Sequence, residues 1–343
     1  MTRARDNAFN PFNNQVAGKN AVINGGMDIW QRGTTFAGNG AFASSFTADR
    51  WQVYRGGASG ASTATRGASD LPGFKYFIRV QRPAGDTTTT YLGLWQSLES
   101  ANSYVYAGKT VTLSFYARAG SGMTNSFGLG VALYSGTGID EPWYSHTGST
   151  TVGSSNFTLT TTGGIVNGWQ RFSVTGNVPS NSNELGITFG YNPTASTASS
   201  TDYYDITGVQ LELGSTPTVF SRAGGTIGGE LALCQRYYYR VIGTNYTAIG
   251  SGFCFNATNF RTVINFPTFM RSAPGVAYSG SLVANINGGN VIPTGINGVF
   301  NSTGYGCSCL FVDWAVSGQA AGYNGAFYTQ NSSLNYVEFS AEL

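Results

Sequence analysis

Lys109-Thr-Val-Thr-Leu-Ser-Phe-Tyr-Ala-Arg118 decides the fold class. Val111, Leu113 and Phe115 fall on one side of an extended chain and Thr110, Thr112 and Ser114 on the other, the period of two expected of a half-buried strand. The pattern returns in Phe127-Gly-Leu-Gly-Val-Ala-Leu-Tyr134, where Phe127, Leu129, Val131 and Leu133 share a face. It continues through Trp169-Gln-Arg-Phe-Ser-Val-Thr175, Leu185-Gly-Ile-Thr-Phe-Gly-Tyr191 and Tyr204-Asp-Ile-Thr-Gly-Val-Gln-Leu-Glu-Leu213. Each run has one apolar face to bury, and turn residues separate the runs. The expected class is therefore all-β, built as a sandwich or jelly roll.

Composition agrees. Of 343 residues only 10% are charged, against about a quarter in ordinary soluble domains, while 48 are glycine and 14% aromatic. Lys19, Lys75 and Lys109 are the only lysines. A net charge of +2 is too small to mark nucleic acid or an anionic membrane as partner. The aromatic content argues against disorder. The first residues, Met1-Thr-Arg-Ala-Arg-Asp-Asn-Ala-Phe-Asn, are polar and do not read as a secretory signal. No run approaches the roughly 20 apolar residues of a membrane helix. Cys234, Cys254, Cys307 and Cys309 lie in the last third and read as small buried side chains. With His146 as the single histidine and no CxxC spacing, the usual zinc sites are excluded.

Residues 1–19 read as an N-terminal arm and 20–222 as the first β domain. The run Gly228-Gly-Glu-Leu-Ala-Leu-Cys-Gln-Arg-Tyr-Tyr-Tyr-Arg240 is the one convincing helical stretch, with Glu230 early and Arg236 and Arg240 late, as the helix dipole favours. Residues 223–240 thus form a linker and short helix, and 241–343 a second β domain ending in Tyr336-Val-Glu-Phe-Ser-Ala-Glu-Leu343. Residues 272–343 contain no lysine or arginine, and Asp313, Glu338 and Glu342 are their only charges. A surface so bare of charge is poorly soluble alone, and burial between copies of the chain is the economical explanation.

Catalytic patterns are scarce. No Gly-x-Ser-x-Gly elbow or phosphate cradle is present. His146, in Asp140-Glu-Pro-Trp-Tyr-Ser-His146, reads as a solvated loop histidine. Asp140 with Glu141, and Asp202 with Asp205, are the close acid pairs available for glycoside hydrolysis; solvation or cation binding is the commoner use of such pairs. The aromatics say more, because a sugar offers a flat C–H face rimmed by hydroxyls and needs an exposed ring with amide or hydroxyl partners. Trp143 and Tyr144 beside His146, and Tyr191, Tyr203 and Tyr204 around a Ser/Thr-rich loop, are the candidate glycan contacts. Trp30, Trp51, Trp95 and Trp169 read as core. Asp49, Asp205 and Glu212 are available for a structural calcium ion, and no other cofactor is expected.

Several segments, in order, resemble phage tail-fibre and related virion proteins. Asn20-Ala-Val-Ile-Asn-Gly-Gly-Met-Asp-Ile-Trp-Gln-Arg-Gly33 and Phe46-Thr-Ala-Asp-Arg-Trp51 look like the opening of their carbohydrate-binding-module-like jelly roll. Thr112-Leu-Ser-Phe-Tyr-Ala-Arg118, Gly168-Trp-Gln-Arg-Phe-Ser-Val-Thr175 and Asp205-Ile-Thr-Gly-Val-Gln-Leu-Glu-Leu-Gly-Ser-Thr-Pro217 look like its later strands. Glu230-Leu-Ala-Leu-Cys-Gln-Arg-Tyr-Tyr238 resembles the helix that follows, and Met270-Arg-Ser-Ala-Pro274 with the acidic C-terminus resembles the distal β domain. The resemblance implies a non-enzymatic virion protein, a homotrimer attached to other virion proteins through its arm. A receptor-binding role toward host surface polysaccharide is the expected function. A capsid cement, decoration or head-fibre role is the alternative, and a glycan depolymerase the second alternative. Neither nucleic-acid binding nor membrane insertion is expected, and the location implied is the virion after synthesis in the host cytoplasm.

Overall fold

A computed structural model describes residues 17–39, 44–56, 61–125, 127–243, 246–300, 306–330 and 335–343. Residues 1–16 of the expected arm lie outside these. The chain is all-β and divides within the helix Ile227–Gln235 into two compact units, the first closing at Leu233 and the second spanning Cys234–Glu342. Among the described residues no helix is long and apolar enough to cross a membrane.

The first unit pairs two six-stranded antiparallel sheets. Its strands are β1 (Thr35–Asn39), β2 (Ser44–Phe46), β3 (Gln52–Arg55), β4 (Ala61–Ala68), β5 (Tyr76–Gln81), β6 (Leu92–Leu98), β7 (Thr110–Ala119), β8 (Leu129–Gly136), β9 (Thr150–Phe157), β10 (Gln170–Asn177), β11 (Glu184–Tyr191) and β12 (Tyr203–Leu213). One sheet runs β1-β4-β5-β12-β7-β10 and the other β2-β3-β6-β11-β8-β9. The alternation read in β7 sends Val111, Leu113 and Phe115 into the core, where they meet Leu133, Ile187 and Phe189 of the facing sheet. The Phe115 and Phe189 rings are 5.0 Å apart, and burying each contributes about 1.5–3 kcal/mol. Phe127 is the exception to its run. Gly128 takes φ +85°, the strand starts only at Leu129, and the Phe127 ring is left 78% exposed.

β11 is buried along all eight residues, although alternation predicts one wet face. Its outward residues include Gly186, Thr188 and Gly190, and other side chains lie down on them. The segment resembling the opening of the virion jelly roll runs beside β12, with Asn20 bridging the Val209 and Ser221 carbonyls. Asn24 ties the turn to Ile29 and Asp49, and buried Glu230 accepts from the Asn24 and Gly224 amides.

The second unit comprises β13 (Tyr238–Gly243), β14 (Ala248–Asn256), β15 (Asn259–Met270), β16 (Gly275–Ser279), β17 (Leu282–Ile286), β18 (Gly289–Val291), β19 (Ile296–Phe300), β20 (Cys307–Ala315), β21 (Asn324–Thr329) and β22 (Asn335–Ser340). They form a three-stranded sheet, β13-β22-β16, and a seven-stranded sheet, β18-β17-β21-β14-β15-β20-β19. Phe260, Trp314, Phe327, Val337 and Phe339 make the core. The expected helix over 228–240 is shorter than its pattern. It stops at Gln235, and the aromatic, β-branched run from Tyr238 enters a sheet. Arg240 therefore stands opposite Glu338 on β22 instead of capping a helix. None of the four cysteines is in a disulfide.

The outer face of the seven-stranded sheet is unusual. Phe253, Phe255, Val263, Phe300 and Phe311 are all exposed on it. Register sets Phe253 opposite Arg261, Val263 opposite Phe311, and Phe311 opposite Phe300. Arg261 lies over the Phe255 and Phe300 rings and makes a two-pronged pair with Asp313 at 2.6 and 2.8 Å.

Candidate functional site

The outer face of the sheet β2-β3-β6-β11-β8-β9 carries the candidate site. Strand register lays its outward residues in rows: Ser97, Gly186 and Tyr134; then Trp95, Thr188 and Ala132; then Gly93, Gly190 and Gly130. Where Gly93, Gly130, Gly190 and Ala132 leave the sheet bare, a groove opens. Two hollows of ≈ 300 and ≈ 360 Å³ share Tyr91, Gly130 and Asn156, a size at the lower end of ligand pockets, roughly 300–1,000 Å³. Its rim adds Asn125, Phe127, Asn192 and Thr194 at one end and Tyr134, Ser154 and Thr188 at the other. No charged side chain lines either hollow among the described residues.

Tyr91 lies flat on the glycine floor. A Cβ at Gly93 would come within 2.4 Å of its ring, and one at Gly190 within 2.5 Å of its hydroxyl. Burial pushes the phenol up, Tyr134 adding to the effect and a hydrogen bond from Thr188 opposing it. The 83–90 turn that brings Tyr91 here is anchored by buried charges. Arg82 pairs with Asp202 at 2.8 Å, both fully buried, and donates to the Asp86 and Thr88 carbonyls. Arg55 pairs with Asp86 at 2.8 Å.

The 137–149 loop covers the Tyr134 end of the same face, and His146 within it is buried, not solvated as expected. Trp143 packs on Gly186 and His146 on Gly136, where an added Cβ would meet them at 2.4 and 2.8 Å. The Trp143 ring stacks on Tyr134 at 5.1 Å and 23° and meets Trp95 edge-on at 5.6 Å. Tyr144, 61% exposed, leans over Trp95 at 5.8 Å. His146 is only 6% exposed. Burial pushes its pKa down, the nearby Glu141 charge opposing, so it is neutral at pH 7. Hydrogen bonds from Thr147 lower the Glu141 carboxyl, whereas burial raises that of Glu184.

The six expected glycan contacts therefore separate. Trp143, Tyr144 and His146 line neither hollow and lie beyond the Tyr134 end of the groove, where Trp143 stacks on Tyr134. Tyr191 borders it yet is 2% exposed, with its hydroxyl spent on Asp202. Tyr204 is fully buried in the core. Tyr203 lies on the outer face of the other sheet beneath the Arg79 guanidinium, 3.4 Å away. The Ser/Thr-rich loop thus offers no ring platform from Tyr191 and Tyr204. The groove residues Tyr91, Phe127, Tyr134 and Asn156 were not singled out by sequence; the clustered glycines of β6, β8 and β11 were the available signal.

The acid pairs are committed elsewhere. Asp202 faces Arg82, and Asp205 is gripped by Arg79 and Arg118 at 2.8 and 2.9 Å. Asp140 accepts from the Ser100 amide, and Glu141 from Thr147. Nor do the three calcium candidates converge. Asp49 accepts from Gln31, Asp205 from two arginines, and Glu212 from Thr218 and Gln210. No group of three or more His, Cys, Asp or Glu that could hold a metal occurs among the described residues. Trp51, Trp95 and Trp169 are buried as expected, while Trp30 is half-buried.

No family model matches the sequence, and a search of curated proteins finds no match. Solved structures with a similar fold include a CBM4 structure at 15% identity, covering 56% of this chain and 98% of that one with a TM-score of 0.31. Another is the C-terminal family 22 carbohydrate binding module of Clostridium thermocellum Xyn10B, at 12% identity, 52% and 98% coverage and a TM-score of 0.30. A third is Fisc, a Stig cyclase from Fischerella sp. TAU, at 13% identity, 59% and 100% coverage and a TM-score of 0.36. Binding modules and an enzyme thus appear together, and similarity at this level concerns fold alone.

Proposed function

We propose that this chain is a non-catalytic glycan-binding protein whose first unit holds an uncharged saccharide in the groove of the β2-β3-β6-β11-β8-β9 sheet. One observation carries the reading: Tyr91, Phe127 and Tyr134 line a groove together with glycine and alanine, with amides and hydroxyls among them and no charge in the lining. Rings stack on sugar C–H faces, and Asn and Thr side chains serve the hydroxyls. A carboxylated or sulfated sugar would lose hydration there without a counter-charge. Hydrolysis finds no support in the acids, since each candidate pair is engaged in ion pairs or loop hydrogen bonds.

The ordered resemblance to phage tail-fibre proteins extends the proposal to a receptor-binding virion component, attached through the 1–19 arm and homotrimeric through its second unit. Several weak sugar sites on one particle would raise avidity by orders of magnitude over a single site. A capsid cement or decoration role is the second reading, favoured by the exposed phenylalanine face of the second unit, which lattice contacts would cover. An array of uncharged and acidic glycans probed with the soluble chain tests the binding. Uncharged members should be retained and lost with Tyr91→Ala or Asn156→Ala, and retention of acidic members alone would overturn the reading. Gold labelling of intact particles separates a tail location from a head lattice.

A further inference from the structure

Along the strand direction the groove meets the 137–149 loop at one end and no such loop at the other. Along β8 and β11 its floor runs from Gly130 and Gly190 through Ala132 and Thr188 to Tyr134 and Gly186, and there Trp143 stands on Gly186. From Thr188 to Asn192 the strand advances about 13 Å, the length of a short oligosaccharide. At the far end Phe127, Asn192 and Thr194 border open solvent. At the near end the Trp143 indole, stacked on Tyr134 and set edge-on to Trp95, fills the row where a polymer would have to continue.

This wall is fixed in place. Asp140 and Ser100 exchange two hydrogen bonds at 2.8 and 2.9 Å. The Trp143 amide donates to Ser97 Oγ at 3.0 Å, and Thr137 closes on the Thr147 carbonyl at 2.8 Å. Glu141 accepts from Thr147 Oγ1 at 2.9 Å within the loop. Gly136 and Gly186 have no side chain, so His146 and Trp143 seat directly on the sheet. Lifting the loop would expose the nearly buried Trp95 and break the loop's bonds to Ser100 and Ser97. It acts as a stop, not as a lid.

We infer that this groove takes the terminal sugars of an uncharged glycan, with Trp143 as the end wall, and does not take the interior of a chain. The inference rests on the glycan reading of the groove and adds where on a glycan the protein attaches. An end-reading site counts chains and ignores their length; an interior-reading site counts repeat units. On a cell surface, that is attachment to the tips of polysaccharide chains.

The test uses the full chain and titration calorimetry against neutral linear glucans, mannans, galactans and xylans, each in a short and a long form, with cyclodextrins as glucans that have no end. The expected result is one stoichiometry per chain at both lengths, affinity per chain unchanged by length, and no uptake of cyclodextrin. Trp143→Ala should then bind long chains at several proteins per chain. Wild-type stoichiometry that rises with chain length, or binding of cyclodextrin, overturns the end-wall inference and leaves the glycan reading standing. Failure to bind every member overturns the glycan reading and the inference together. The length comparison on the wild-type chain decides the matter even where Trp143→Ala does not fold.

Discussion

The indole of Trp143 stacks on the ring of Tyr134, centroids 5.1 Å apart and planes 23° from parallel. One partner stands on a strand and the other on a loop, so the contact fastens the 137–149 segment to the sheet. Tyr134→Ala should loosen the loop and cost about 0.5–1.5 kcal/mol beyond the area lost. Urea denaturation checks the stability, and tryptophan fluorescence should report a wetter Trp143.

Gly93→Ala tests the floor. The new Cβ would meet the Tyr91 ring at 2.4 Å, so the ring must leave its place. Overpacking of this kind costs roughly 1–3 kcal/mol. Saccharide binding should disappear while the circular dichroism spectrum stays that of the wild type.

Arg82→Met leaves the buried Asp202 carboxylate without its counter-charge, the Tyr191 hydroxyl still donating to it. Breaking one side of a buried pair costs about 3–5 kcal/mol, and because the Arg82 side chain also holds the 83–90 turn, groove binding should weaken as well. Replacing both residues together, as Arg82→Met with Asp202→Leu, should restore part of the stability. Chemical denaturation of the single and double variants checks both statements.

Acid sensitivity has a named source in Asp70. Partial burial pushes its carboxyl up, but hydrogen bonds from Asn167 and Trp169, with the Arg118 charge, outweigh that and hold it at about 2. Its folded pKa thus lies below the ordinary aspartate value of 3.8. The stabilisation it gives is present above pH ~4 and is lost as pH falls toward 2. The carboxyl is about a third exposed, so solvent screening keeps the effect small. Asp70→Asn should lower the melting temperature at neutral pH and flatten its decline between those limits.

Phe311→Asp tests the outer face of the second unit. A carboxylate beside Val263 and Phe300 would be desolvated in any self-contact. If copies of the chain meet there, light scattering should show the wild type as an oligomer and the variant as a single chain.

Much of the fold is legible in the sequence because strands announce themselves through alternation. Val111, Leu113 and Phe115 point inward as the pattern requires, and Leu129, Val131 and Leu133 do likewise. Alternation is silent about which outward faces become covered. It cannot show that His146 sinks onto Gly136, 10 positions away, or that Tyr91 reaches across to Gly190, 99 positions away, because neither contact follows the strand period. Tyr191 and Tyr204 misled for a related reason. A strand end rich in tyrosine looks like a rim, yet their rings turn inward, where Asp202 and the Phe189 carbonyl take the hydroxyls. The helix ran short because the Tyr-Tyr-Tyr run gains more from pairing with β22 than from another helical turn.

The glycine floor has a consequence for how this surface can change. Its depth comes from side chains that are missing, so nearly any substitution at Gly93 or Gly190 adds bulk that meets a neighbour. Those positions tolerate little variation. Phe127, Asn156, Asn192 and Thr194 stand at the rim, and they can vary without collapsing the groove. A lineage bearing this protein would drift in preference by rewriting the rim over a frozen bed.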